Sequence, residues 1–160
     1  MPDAKMAGAG MGRERFNIMA SENVRGLRIL VVDDEAIVCD SIRMLLSFHG
    51  HKVNTASSGQ EALTRFEVSD FDLVITDYAM PGMPGTDLAC AVHQRAPHLP
   101  VVLVTAYAEM LGSWGADLSH VHHVLAKPFR WDDLRRVVGG IAQITPPQPL
   151  DSDADLPGGC

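Results

Sequence analysis

The sequence predicts an α/β fold, a three-layer doubly wound sandwich with five parallel strands between two layers of helices. Short β-branched runs recur along the chain: Ile29-Leu30-Val31-Val32, Leu73-Val74-Ile75-Thr76, Val101-Val102-Leu103-Val104 and Val124-Leu125-Ala126. Such runs, each parted from the next by helix-length sequence, are what parallel strands buried on both faces look like. The intervening stretches carry apolar residues at helical spacing. Finally, each run ends on a polar group: Asp33-Asp34, Asp77, Thr105 and Lys127 in turn. Ligands bind at the carboxyl ends of strands in an open parallel sheet, so these groups are candidates for one site.

Taken in order, the first strand ends at Asp33-Asp34-Glu35, and Ile37, Ile42, Leu45, Leu46 and Phe48 then form the broad apolar stripe of a helix that Gly50 stops. A short second strand spans Lys52 to Ala56. Ser58-Gly59-Gln60-Glu61 has the spacing of a capping box, which satisfies free backbone donors at a helix start. Ala62, Leu63 and Phe66 give that second helix its buried face, and it ends near Val68. The third strand runs into Asp77, and Met80-Pro81-Gly82-Met83-Pro84-Gly85 enforces a loop. Thr86 or Asp87 opens a third helix that reaches Arg95 with Leu88, Ala89 and Val92 inward. The fourth strand ends at Thr105.

Residues 109–121 are the least regular part of the core, because Gly112 and Gly115 each cost about 1 kcal/mol relative to Ala inside a helix. Any helix there should be short or frayed. The fifth strand ends at Lys127, and Pro128 turns the chain out of it. From Trp131 a last helix buries Leu134, Val137, Val138 and Ile141, with Asp132 and Asp133 in its first turn, where the helix dipole favours them. The expected organisation is a flexible leader over residues 1–25, one folded domain over 26–144, and a disordered acidic, Pro- and Gly-containing tail over 145–160.

Bulk properties exclude several classes. A formal charge of −7 and a pI near 5.4 disfavour direct contact with nucleic acid, which needs clustered Lys and Arg. No apolar stretch approaches the roughly 20 residues that span a bilayer. Arg13, Glu14, Arg15 and Asn17 break up any signal-peptide core, so a cytoplasmic protein without membrane insertion is expected. Cys39, Cys90 and Cys160 form no metal or disulfide spacing. His122 and His123, adjacent in a strand, should point apart rather than share a metal with His120. His93 should face solvent. Trp131 should pack in a groove, while Trp114 suits packing and partner contact equally.

Asp33, Asp34 and Asp77, gathered at one edge, would repel one another unless a cation or proton entered. An incomplete oxygen cage suits Mg2+, which keeps several waters and takes one or two carboxylates with phosphate oxygens. Lys127 offers a point charge and Thr105 a hydroxyl to a phosphoryl group. A carboxylate left unshielded can be the nucleophile, and Asp77 is best placed, since it ends the central strand and opens a long loop. Taken singly, Asp33 or Asp34 could merely cap the first helix, and Lys127 could be a solvated lysine.

Four motifs together resemble the receiver domain of the response-regulator family of two-component signalling. They are Val31-Val32-Asp33-Asp34-Glu35, Asp77-Tyr78-Ala79-Met80-Pro81-Gly82-Met83-Pro84-Gly85, Val104-Thr105-Ala106 and Ala126-Lys127-Pro128-Phe129, within residues 27–142. The resemblance implies a flavodoxin-like strand order 2-1-3-4-5. It implies that Asp77 is the phospho-acceptor, served by a sensor histidine kinase or phosphotransfer protein. Asp34, Asp77 and the Ala79 backbone carbonyl would ligate Mg2+, Asp33 would hold it through water, Thr105 would contact the phosphoryl group and Lys127 would pair with it. A cis Lys127-Pro128 bond is also implied. Such a domain is not an enzyme on other substrates; it catalyses its own phosphorylation and dephosphorylation, then signals through its surface to a downstream protein target, relays the phosphoryl group or dimerises on phosphorylation. With no output domain after Ile144, the expected form is a stand-alone receiver.

The chain departs from that pattern in places. Receivers commonly carry Tyr or Phe three residues before the lysine, and Val124 stands there. Tyr107, two residues after Thr105, either takes over part of that ring's role or only shields the site from water, and shielding is favoured because the strand has ended there. Ala79 stands where many relatives have a polar side chain that helps place attacking water, which predicts a slowly lost phosphate. Residues 109–121 would form the fourth helix of a receiver. Among competing functions, a degenerate receiver that works without phosphorylation conflicts with the complete set Asp33, Asp34, Asp77, Thr105 and Lys127. An aspartyl phosphatase would need a second carboxylate where Ala79 stands, and a nucleotide-binding module lacks its Gly-rich loop after the first strand.

Overall fold

A computed structural model describes residues 26–144; the expected leader and tail lie outside the described residues. The elements run β1 (Arg28–Val32), α1 (Ala36–Phe48), β2 (Lys52–Ala56), α2 (Gly59–Val68), β3 (Leu73–Asp77), α3 (Gly85–Arg95), β4 (Val101–Thr105), a 3-10 turn (Ala108–Met110), β5 (His123–Ala126) and α4 (Trp131–Ile144). All strands pair in parallel in the order β2-β1-β3-β4-β5. The expected fold is the one formed.

Strand alternation divides the core into two layers. Ile29, Val31, Leu73, Ile75, Val102 and Val104 meet α1 and α4, while Leu30, Val32, Val74 and Val101 meet α2 and α3. Both central strands, β3 and β4, are buried at every residue. Helices on both faces leave only the strand ends for a site, and an ion pair closes the opposite end of the sheet. There the Arg28 guanidinium donates to both Asp72 carboxylate oxygens at 3.1 and 2.9 Å.

The structure changes several details of the sequence reading. The five-residue stripe expected on α1 splits: Ile42 and Leu46 are buried with Cys39, whereas Ile37 is 74% exposed and Phe48 83%. Ile37, Met44 and Phe48 recur at spacings of seven and four, so they line a second face, pointed away from the sheet. α3 begins at Gly85, ahead of Thr86, because the Pro84 carbonyl already accepts from the Asp87 and Leu88 amides. The α2 cap is modified too. Ser58 Oγ accepts from the Glu61 amide, but the Glu61 carboxylate reaches back one residue further, to the amide and hydroxyl of Ser57.

The fourth helix expected between β4 and β5 is not formed. Only the 3-10 turn and successive bends occupy that connection, with Gly115 at φ 72. Glycine's entropic cost, anticipated for a frayed helix, here goes with a chain that makes turns instead. His122 lies just before β5 and its Nδ1 accepts from the Val101 amide at 3.1 Å, while His123 opens the strand exposed. His93 stacks on His120 at 4.2 Å between ring centroids, so it is not simply solvent-facing. Trp131 packs on the α1 and α4 layer beside His49, in keeping with a groove role. No helix among the described residues is long and apolar enough to cross a membrane.

Candidate functional site

The carboxyl ends of β1, β3, β4 and β5 bring the predicted residues to one edge. β1 lies beside β3 and the order turns away on either side, which leaves a crevice between their ends. Asp33 follows β1 and is 3% exposed; Asp77 ends β3 and is 8% exposed. Asp34 beside them is exposed. One carboxylate oxygen from each of the three lies within 4.8 Å of the others, a donor set compatible with Mg2+, and among the described residues no such group includes His120, His122 or His123.

Lys127 reaches the same cluster from β5. Its Nζ donates to Asp33 Oδ2 at 3.1 Å and to Asp77 Oδ1 at 3.2 Å. The chain turns there through a cis Lys127-Pro128 bond, and the Lys127 amide donates to the Thr105 carbonyl at 2.8 Å. These bonds tie β5's end to β4's.

Burial pushes the Asp77 carboxyl above its ordinary value; the Lys127 charge pulls the other way and the Asp33 charge adds to the rise. Burial by itself would lower the Lys127 ammonium, yet its hydrogen bond to Asp33 and the charges of Asp77 and Asp33 raise it overall. The site therefore holds more negative charge than one ammonium compensates. Replacing or supplementing that ammonium with a divalent cation is the natural relief.

The remaining predicted residues are placed less centrally. Thr105, fully buried at the end of β4, pairs across with Ala126, and its Oγ1 accepts from the Tyr107 amide at 2.9 Å. Ala79 is exposed in the loop after β3. Asp33 does not cap α1 with its side chain: Glu35 is the N-cap, and Asp33 Oδ1 accepts from the Glu35 amide at 2.9 Å, which fixes the acidic turn itself.

Two features escaped the sequence reading. The first is Gly85, whose amide donates to the Tyr78 carbonyl at 2.9 Å and where an added Cβ would collide with the Asp77 carbonyl oxygen. The loop after Asp77 folds back that tightly, and the repeated Pro-Gly pattern was the only signal of it. The second is a surface group of rings in which Trp114 sits 6.3 Å from Tyr78 and 5.5 Å from Tyr107. Nothing in local spacing joins residues so far apart.

Known proteins share this fold. The model of the response regulator receiver domain matches residues 29–139. The chain is 39% identical over 107 residues to the chemotaxis protein CheY of Pseudomonas aeruginosa, covering 64% of this chain and 86% of that protein. It is 30% identical over 128 residues to the transcriptional regulatory protein TcrA of Mycobacterium tuberculosis, covering 80% of this chain. It spans only 48% of TcrA's length. Among solved structures, response regulator TrrA of Thermotoga maritima in complex with Mg2+-BeF aligns with a TM-score of 0.63 at 33% identity, covering 71% of this chain and 97% of that one. Fold, acidic edge and sequence relatives agree, and the chain belongs to the response regulator receiver domain family.

Proposed function

We propose that this domain accepts a phosphoryl group on Asp77 from the phosphohistidine of a sensor kinase or phosphotransfer protein, in a Mg2+-dependent reaction, and passes its phosphorylation state to a protein target. The observation that carries this reading is Lys127 Nζ bridging Asp33 and Asp77 at 3.1 and 3.2 Å inside a three-carboxylate cluster. A structural salt bridge needs one carboxylate for one ammonium, and this edge keeps three.

In the reaction, an Asp77 carboxylate oxygen bonds to phosphorus as the P–N bond breaks, and the electron pair leaves on the donor imidazole. Asp33, Asp34, Asp77 and the Ala79 carbonyl would hold Mg2+, which when bound offsets charge on the phosphoryl oxygens. Lys127 supplies a second positive charge to those oxygens, and the Thr105 hydroxyl a hydrogen bond. The imidazole needs no second carboxylate as general acid, in keeping with Ala79 two residues after Asp77. The exposed apolar side chains Ile37, Met44 and Phe48 on the outer side of α1 support a protein partner, since Met and aromatic side chains are enriched where proteins meet. A cytoplasmic setting, in which such donors occur, fits this reading.

The test is incubation of the protein with Mg2+ and a small acyl phosphate, read by intact mass. Wild type is expected to gain one acid-stable, base-labile phosphate and Asp77→Asn none. Equal incorporation by the variant, or none by the wild type, would falsify the assignment.

A further inference from the structure

Among the described residues, no element covers the outer side of α1. Ile37, Met44 and Phe48 share that side of the helix, and Met44 between the other two is 68% exposed. Toward the start of α1 the row opens on an apolar groove of about 430 Å3, with Ile37, Val38, Ile42, Ala106 and Phe129 among its lining residues. At the end of α1 it closes on rings: Phe48 meets His49 edge to face at 5.4 Å, and His49 meets Trp131 at 5.2 Å. We propose that residues 13–24 of this same chain dock along this face, with Val24 at Phe48 and Phe16 at the groove. The proposal goes beyond phosphoryl acceptance and does not require it; a target that uses α1 has this segment as a built-in competitor.

The course of the chain favours this occupant. The described residues begin at Gly26, packed so closely on Gly50 that an added Cβ would collide with the Gly50 carbonyl oxygen. The next residue is fixed as well: the Lys52 amide donates to the Leu27 carbonyl at 2.8 Å, and the Leu27 amide donates to His51 Nδ1 at 3.0 Å. Gly50 stands just past Phe48, so the preceding residues leave the domain at the C-terminal end of α1. From Phe48 back to Ile37 the helix runs about 17 Å. The stretch from Gly26 back to Phe16 covers about 15 Å as helix and about 33 Å extended, so either form carries Phe16 to the groove.

Side-chain chemistry agrees. Phe16, Ile18, Met19 and Val24 are apolar, unlike the Gly-rich residues 7–12 before them. Arg13 and Arg15 precede Phe16 and so meet Asp34 and Glu35, which are exposed where α1 starts. Residues 145–160 suit the face poorly: they carry Asp151, Asp153 and Asp155 without a Lys or Arg, and they continue from α4. A second copy also fits less well. A stable interface buries about 800 Å2 on each partner, and three side chains spread along one helix fall short of that. A tethered segment needs less area, because the linkage holds it at roughly millimolar effective concentration.

Methyl NMR of methionine-labelled full chain tests the docking, since Met44 lies in the row and Met19 in the segment. Met80, buried against the α2 and α3 layer, and Met110, after β4, serve as references. Met19→Leu and Met44→Leu assign the two signals. Replacing Phe16 and Ile18 together by Ser should shift the Met44 signal and narrow that of Met19 to the width of Met6 and Met11, leaving Met80 and Met110 in place. Phe48→Ser should narrow Met19 in the same way from the other side of the contact. Arg13→Glu with Arg15→Glu should move Met44 in the same direction by a smaller amount, and tenfold dilution of wild type should change nothing. An unmoved Met44 in the Phe16→Ser, Ile18→Ser chain overturns the docking, as does a wild-type Met19 already as narrow as Met6. A Met44 signal that shifts on dilution assigns the face to a second copy and overturns it too. No phosphate or Mg2+ enters these measurements, so their failure leaves the proposed function standing.

Discussion

Replacing Lys127 with Met removes one ammonium and leaves Asp33 and Asp77 facing each other, 4% and 10% exposed in their side chains. At about 3.2 Å and an effective dielectric constant near 20, each pair is worth roughly 5 kcal/mol of Coulomb attraction, most of which desolvation takes back. Truncating one partner of a buried pair costs about 3–5 kcal/mol, because the other charge stays buried. Lys127 is one-fifth exposed and Asp34 keeps the edge open to water, so the lower end applies: about 3 kcal/mol. Urea unfolding at neutral pH, without divalent ions, reads this as a lower midpoint for Lys127→Met. The raised Lys127 value sets the pH window: its stabilisation is present through neutral pH and disappears as pH climbs through the folded-state value above 10.5. Adding Asp77→Asn should recover roughly 1–2 kcal/mol of the loss, since one of the stranded charges disappears. Mg2+ should narrow the gap as well, because the uncompensated carboxylates of the variant bind the cation more tightly than the lysine-paired ones, and each tenfold gain in affinity at saturating Mg2+ adds about 1.4 kcal/mol to the variant alone. A midpoint unchanged in Lys127→Met, or a further drop in the double variant, would refute the view that charge compensation governs this edge.

Further predictions concern other parts of the domain. Burial, aided by the neighbouring His49, holds His51 below the ordinary imidazole value while its Nδ1 accepts from the Leu27 amide at 3.0 Å. Its stabilisation is complete above pH 6.5 and is lost as pH falls through the lower folded value, so urea midpoints should drop in that window in wild type and drop less in His51→Gln. Gly85→Ala must displace the Asp77 carbonyl or Leu103, and calorimetry should show about 1–3 kcal/mol of lost stability with slower phosphate uptake. With a methyl at Ala79, the phosphorylated protein should retain its phosphate well beyond seconds, and Ala79→Asn should shorten that lifetime; loss within seconds in wild type contradicts the assignment.

What the sequence determined by itself was the order of elements and the roster of polar strand ends. Parallel strands buried on both faces must be short, apolar and β-branched, so their ends are legible, and Asp33, Asp77, Thr105 and Lys127 stand just there. Motif spacing added the strand order through family resemblance, since helical and strand periodicity say nothing about which strands are neighbours. Tertiary structure decided whatever depends on distant residues meeting. α1 carries two apolar faces, and only docking on the sheet selects Cys39, Ile42 and Leu46 over Ile37, Met44 and Phe48. Residues 106–121 hold no periodic pattern strong enough to offset two glycines, so packing around Leu111, not propensity, sets their turns. Lys127 lies 94 residues from Asp33 and 50 from Asp77, and the charge balance of the site exists only once the sheet has joined them. The Tyr78–Trp114–Tyr107 contact is the same kind of fact. Local physics sets each segment's form, but a site is a set of long-range distances, and those are fixed only when both faces of the sheet are covered.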